Sequence, residues 1–289
     1  MICAVASGKG GTGKTTVTAS LAAVWDRPLA VADLDVEEPN LHLFLRPEIA
    51  VCEPAQLEVP RLDAARCTLC GKCAAFCQFK ALSVMGQTLL VFPDMCHGCG
   101  GCLRLCPEDA LEPGGRELGE VLTGRAGAAE FLMGRLRVGE AMSPPLLRAV
   151  KARLPLDSGR DILLDSPPGV SCPAVNAVRD ADVAVLVTEP TPFGLHDLRL
   201  AVEAFRPLGA TLGVVLNRAG VGDAGVREFC RAEGLPIWAE IPFSREAAAA
   251  YARGEILAES LPELRQRFLE LAERVRAAAE SRTREAGHA

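Results

Sequence analysis

Short, uninterrupted apolar runs mark both ends of the chain, and each predicts a strand buried on both faces. They lie at 2–7 (Ile-Cys-Ala-Val-Ala-Ser), 29–33, 162–165, 183–187 and 212–216. A half-solvated strand would alternate apolar and polar positions; these do not. Helical stretches separate them, the first from about Lys14 to Trp25. The combination predicts an α/β fold whose mostly parallel sheet is covered by helices on both sides. Near the end of the chain, Leu264, Phe268, Leu271 and Val275 fall on one helical face. The opposite face mixes Glu with Arg, and the apolar face lacks the bulk of an interfacial anchor, so a packing helix is expected rather than a stable membrane anchor.

Between about Leu62 and Glu112 this rhythm stops and cysteines interspersed with Gly and Pro take over. The flanks, 46–60 rich in Pro and 113–124 rich in Gly, read as loops by which an insert leaves and rejoins a scaffold. Residues 1–60 and 113–289 are therefore expected to form one discontinuous domain, with 61–112 inserted into it. The insert repeats itself: Cys67-x-x-Cys70-x-x-Cys73-x-x-x-Cys77 returns 29 residues later as Cys96-x-x-Cys99-x-x-Cys102-x-x-x-Cys106. Two related halves about a pseudo-two-fold axis are implied.

Composition narrows the function classes. Hydrophobic residues at 49% and charged residues at 24% fit a globular protein, and aromatics at 4% leave the core to Val, Leu, Ile and Ala. A net charge of −6 argues against general nucleic-acid binding. No apolar run reaches the length that spans a bilayer. The first strand runs directly into a Gly-rich loop and leaves no room for a signal peptide, so a cytoplasmic location is expected. Of 12 cysteines, eight are regularly spaced; in a reducing compartment that spacing indicates metal ligation rather than disulfides.

The Gly-rich loop Gly8-Lys9-Gly10-Gly11-Thr12-Gly13-Lys14-Thr15-Thr16 stands between a strand and a helix, the context of a phosphate-binding loop. Its glycines let successive N–H groups point at phosphate oxygens, reinforced by the helix N-terminus. Lys14 would reach the β- and γ-phosphates and the Thr15 hydroxyl would ligate Mg²⁺. The second lysine, Lys9, resembles the deviant Walker A group that includes MinD, ParA, Mrp-type carriers and the nitrogenase iron protein. That resemblance implies ATP or ADP as ligand, a nucleotide-driven dimer, and Lys9 reaching across it. It also implies that Asp33 and Asp165 organise Mg²⁺, that Asp35 polarises the attacking water, and that Gly169 of Ser166-Pro-Pro-Gly binds the γ-phosphate. Asn217-Arg218 resembles the adenine-contacting pair, and the segment from Ile241-Pro242 to Tyr251 and Gly254 resembles the one closing the base pocket in MinD-like proteins.

In C-x₂-C-x₂-C-x₃-C runs, each run gives three thiolates to one 4Fe–4S cube and one to the other. The crossed assignment places Cys67, Cys70, Cys73 and Cys106 on one cluster and Cys96, Cys99, Cys102 and Cys77 on the second. Gly71, Gly98, Gly100 and Gly101 keep the ligand loops small. Zinc is the alternative metal, since paired C-x-x-C units also build ribbons. Gln78 stands where bacterial ferredoxins usually carry Pro, whereas Pro107 is present in the second run; the second cluster is expected to be more exposed or shifted in potential.

Over nearly its whole length the chain resembles MinD-superfamily ATPases with an inserted two-cluster ferredoxin domain, a group linked in part to the orange-protein system of a molybdenum–copper cluster. The resemblance implies a nucleotide-switched homodimer, or heterodimer with a paralogous ATPase, that gates electron transfer or metallocluster handling for a redox or cluster-binding partner. A cluster carrier or assembly scaffold is the alternative, and a MinD/ParA-like positioning ATPase a second. Cys3 and Cys230 read as core residues, and Cys52 as a loop residue. Cys172 follows Asp165 by seven residues, the offset at which the nitrogenase iron protein binds its bridging cluster; an interface metal shared with its symmetry mate is the expectation it raises.

Overall fold

The computed structural model describes residues 1–286. Its strands are β1 (Ile2–Ala6), β2 (Leu29–Asp33), β3 (Glu48–Leu62), β4 (Leu82–Met85), β5 (Thr88–Val91), β6 (Leu111–Ala126), β7 (Ala129–Leu136), β8 (Asp161–Asp165), β9 (Val183–Thr188), β10 (Thr211–Ala219) and β11 (Ile237–Pro242). Nine of them form one sheet in the order β11-β10-β9-β1-β8-β2-β7-β6-β3, and β4 pairs with β5 apart from it. From β11 to β7 the strands are parallel; β6 and β3 complete the edge antiparallel.

Helices cover both faces, as the unbroken apolar runs require. On one face lie α5 (Ser143–Lys151), α6 (Cys172–Val178), α7 (Pro192–Phe205) and α8 (Gly225–Ala232). On the other lie α1 (Lys14–Val24), α2 (Leu41–Leu45), α9 (Arg245–Ala252), α10 (Leu257–Ser260) and α11 (Pro262–Ala286). Successive residues of β1 divide between the two cores: Ala4 and Ala6 face the first set of helices, Cys3 and Val5 the second. Leu264, Phe268, Leu271 and Val275 of α11 are buried in the second core, so the terminal helix packs as expected. Among the described residues no helix is long and apolar enough to cross a membrane.

The flanks expected to be loops are strands. Residues 48–62 and 111–126 pair over almost their full length as an antiparallel ribbon, from Glu48↔Arg125 to Leu62↔Leu111, on the order of 50 Å of extended chain. Prolines 54 and 60 are tolerated because β3 is the sheet edge, where a missing N–H breaks no inner ladder. Cys52 is thus an exposed strand residue, not a loop residue. Only the body half of β6 is backed by β7, from Ala126↔Ala129 to Gly119↔Leu136. Beyond it the ribbon leaves β7 and packs against residues 63–110, which include α3 (Lys72–Phe76), α4 (Gly101–Leu105) and the β4–β5 hairpin. A bulge between Ala55 and Gln56 leaves Leu118 as the extra residue of β6 and buries it against the cysteine segment.

Candidate functional site

The C-terminal ends of β1, β8, β2 and β10 converge, and each delivers one part of the site. β1 leads into the Gly-rich loop, whose Gly13 is left-handed (φ 98°) and opens α1. A Cβ there would lie 2.4 Å from Asn217 Nδ2, and that same nitrogen donates to Thr12 O at 2.8 Å. Asn217 therefore ties β10 to the loop. Thr15 Oγ1 donates to Asp165 Oδ2 at 2.7 Å and Thr18 Oγ1 to Asp165 Oδ1 at 3.0 Å, which fixes the carboxylate ending β8 beside the first turn of α1.

Three carboxylates and one lysine share this end of the sheet. Burial pushes Asp165 up to about 6, against the opposing hydrogen bond from Thr15, the charge of Lys14 and the hydrogen bond from Thr18. Burial, then the charge on Asp165, pushes Asp35 up to about 6. Asp33 is driven up by burial and by Asp165, while Lys14 is lowered by burial despite its three acidic neighbours. A cluster this acidic and dry is short of positive charge, which a divalent cation would supply. The hydroxyls of Thr12 and Ser166 are buried there without a hydrogen-bond partner, a surplus of polar atoms suited to a polar ligand. The donors fit Mg²⁺ and a nucleotide.

Several expected roles look different in place. Asp33 uses both oxygens on main-chain N–H groups: Oδ1 accepts from Asp35, and Oδ2 from Asn40 and Leu41. It organises the loop that carries Asp35. The Gly169 N–H, expected on the γ-phosphate, donates instead to Ser7 O at 3.0 Å; binding phosphate requires the 166–171 loop to move. Lys9 Nζ lies 3.8 Å from Asp197 Oδ2 of its own chain. Gly8 is required by close approach, since a Cβ would meet the Asp197 carbonyl. Asp197 reaches the loop from α7, a contact that no local motif specifies. Arg218 sits at positive φ and pairs with Glu189 at 2.7 Å, and the register Ala219↔Pro242 brings Pro242 beside the Asn217–Arg218 pair. Cys172 is exposed as the first residue of α6.

The cysteines of the insert surround two separate recesses. One, of about 340 Å³, is lined by Cys67, Cys70, Cys73 and Cys106; the other, of about 710 Å³, by Cys77, Cys96, Cys99 and Cys102. Burial raises Cys73, with Cys106 and Cys70 adding to it; burial pushes Cys102 up to about 11, with Cys96 and Cys99 adding to it. Main-chain N–H groups of Ala81, Gly98 and Ala110 donate to the sulfurs of Cys77, Cys96 and Cys106. Among the described residues no three His, Cys, Asp or Glu converge tightly enough to hold a single metal ion. The ring stacking of Phe79 on His97, with centroids 3.4 Å apart, stands at the second recess.

A third opening, of about 1090 Å³, lies between the Asp35–Glu38 loop, the Pro167–Pro173 loop and the turn Arg137–Glu140 that follows β7. Glu140 is nearly buried against Arg116; burial opposes its charge, but hydrogen bonds from Arg116 and the Met142 N–H hold its carboxyl below the usual range. Neither residue of this pair was signalled by the sequence, because their contact spans β6 and the turn after β7.

Comparison with known proteins agrees with this geometry. The model of the CobQ/CobB/MinD/ParA nucleotide binding domain matches residues 3–257. Two uncharacterized proteins of Methanocaldococcus jannaschii are similar: MJ0578 at 29% identity, covering 96% of each chain, and MJ0579 at 28%, covering 88% of this chain and 90% of that one. An iron-sulfur cluster carrier protein of Aquifex aeolicus is 31% identical over 128 residues, covering 38% of this chain and 35% of that one. Among solved structures, the septum site-determining protein MinD of Pyrococcus horikoshii, complexed with Mg-ADP, has a TM-score of 0.61 at 22% identity and covers 97% of this chain and 98% of its own. At that identity the likeness is one of fold.

Proposed function

Because the chain belongs to the CobQ/CobB/MinD/ParA nucleotide-binding family, we propose that it is an ATP-hydrolysing iron–sulfur protein in which a nucleotide-switched dimer gates electron transfer or metallocluster handling for a partner protein. The observation that carries this reading is the sorting of eight cysteines into two recesses, each ringed by the crossed set of four. Four thiols can also hold one zinc ion, but two tandem runs with this spacing suit two cubes better. When bound, such clusters supply one-electron chemistry at low potential, which ATP hydrolysis alone does not need.

The residues divide the work. Lys14 and the N–H groups from Gly8 to Thr16 hold phosphate, with Thr15 and Asp165 placed for Mg²⁺ and Asp33 acting through the loop it organises. Asp35 would polarise water, and Lys9 would leave Asp197 for the partner's nucleotide. Asn217, Arg218 and Pro242 frame the base. Residues 61–112 form the two-cluster insert, within a scaffold of 1–60 and 113–289. Two proteins of this kind in one archaeon make a heterodimer of paralogues as reasonable as a homodimer, and Cys172, exposed beside the switch loop, is placed to meet its counterpart there.

Cluster carriage is the second reading, favoured by the partial match to an iron-sulfur cluster carrier protein. A positioning role has only the MinD fold to support it. Anaerobic purification followed by iron, sulfide and ATPase assays tests the proposal. About eight irons per chain that survive repeated reduction and reoxidation support electron transfer. Transfer of the iron to an acceptor apo-protein supports carriage, and a protein without iron overturns both.

A further inference from the structure

The two thiol recesses are not equivalent with respect to the nucleotide site. The recess of Cys77, Cys96, Cys99 and Cys102 lies against Glu58 and Pro60, and Cys96 shares a core with Leu57, Val59, Ala81 and Leu118. The other recess reaches Leu111, at the far end of the ribbon. One is body-proximal, the other distal.

A continuous set of contacts joins the proximal recess to the nucleotide loops. Leu136 N–H donates to Val36 O at 2.8 Å, one residue beyond Asp35, and Arg137 N–H donates to Leu118 O at 2.8 Å. The turn that follows, Arg137–Glu140, lines the same opening as Asp35, Pro167 and Ser171. Glu140 holds Arg116, and its Oε1 accepts the Met142 N–H at 2.9 Å. Met142 then packs on the core that contains Cys96. From the insert, Asp94 stands 3.9 Å from both Arg116 and Arg137. Arg116 is 8% exposed and its Nε is buried without a partner, so this joint holds an unused donor that a small shift could satisfy. The distal recess is reached one step later: Cys77 packs on both cores of the insert, and Cys102 shares the second with Cys73 and Leu111.

We infer that the turn 137–142, with Glu140 and Met142 after β7, Arg116 on the ribbon and Asp94 on the insert, is the joint through which nucleotide state reaches the proximal thiolate set first, and the distal set only through it. Arg116, Glu140, Met142 and Asp94 are positioning residues: they touch neither nucleotide nor sulfur ligand chemistry directly, and act by setting where the 93–102 segment sits against the body. The inference rests on the proposed function for its meaning but not for its test. Packed side chains and buried ion pairs rearrange between discrete states rather than deforming smoothly, which suits a switch.

Hydrogen–deuterium exchange of the full chain, purified without oxygen, tests this with MgADP and with a non-hydrolysable ATP analogue. Peptides covering 93–102 are expected to change exchange between the two nucleotides by about fivefold or more, and those covering 64–73 by clearly less. Met142→Ala and the exposed-site variant Asp94→Asn should remove the response at 93–102 while the loop at 8–16 still responds. Equal responses in both cysteine segments, no response at 93–102, or a response surviving in both variants overturns the joint. Iron content is read on the same samples: absence of iron strikes the cluster reading, while the exchange pattern still decides the joint.

Discussion

Asn217 Nδ2 donates to the carbonyl oxygen of Thr12 across 2.8 Å, joining residues 205 apart in sequence. The bond makes Asn217 a brace for the Gly-rich loop. Removing it leaves the Thr12 carbonyl short of a donor and the loop freer to move. Asn217→Ala is expected to weaken nucleotide affinity about tenfold, read by titration with a fluorescent ADP analogue. Gly13→Ala is expected to abolish binding, because its positive φ and the nearby Asn217 both reject a Cβ. Unchanged affinity in Asn217→Ala contradicts the brace.

The two lysines of the loop should separate binding from assembly. Lys14 is buried among carboxylates, whereas Lys9 is partly exposed and paired with Asp197. Lys14→Ala is expected to lower nucleotide affinity by about 10- to 100-fold. Lys9→Ala should bind nucleotide normally yet lose ATP-dependent dimerisation and turnover, followed by light scattering and phosphate release. A Lys9 variant that dimerises normally removes the trans role.

Acid–base linkage gives a test that needs no turnover. Asp165 is raised to about 6 in the folded chain and titrates near about 3.9 when unfolded. Between those values the folded state binds more protons than the unfolded one, so stability falls as pH rises through that window and levels off above it. Without ligand, the wild-type Tm is expected to fall relative to that of Asp165→Asn between pH 4 and pH 7. MgADP should reverse the difference at pH 7. A rising difference without ligand contradicts the burial argument.

Crossed ligation is decided by a double substitution. Cys67→Ser with Cys106→Ser removes two ligands from one recess and leaves the other intact, so about four irons per chain should remain. If each run instead held its own cluster, the same variant would damage both, and iron would fall towards zero. Chemical iron analysis distinguishes the two.

The parts of this molecule legible in the sequence are those written locally. The phosphate loop is one continuous stretch between a strand and a helix, and the terminal helix declares its buried face through Leu264, Phe268, Leu271 and Val275. The repeat of the two cysteine runs was also readable, because its spacing returns after 29 residues. The ribbon was not: Pro54, Pro60 and the Gly-rich stretch before Thr123 look like loop, and only long-range pairing to a sheet edge makes them strand. Arg116, Glu140, Asp94 and the contact of Asp197 with Lys9 were invisible for the same reason, since each matters through a partner brought close by the fold. Gly169 was expected on the γ-phosphate, but the hydrogen bond of its N–H to Ser7 belongs to a conformation that no motif specifies.

The central claim, that nucleotide state is felt by the cluster module, is tested most directly by an anaerobic redox titration monitored by EPR with MgADP and with a non-hydrolysable ATP analogue. The account predicts that the two reduced centres respond unequally, one shifting its midpoint potential or its line shape between the two nucleotides more than the other. Identical titrations of both centres in the two nucleotide states would contradict it.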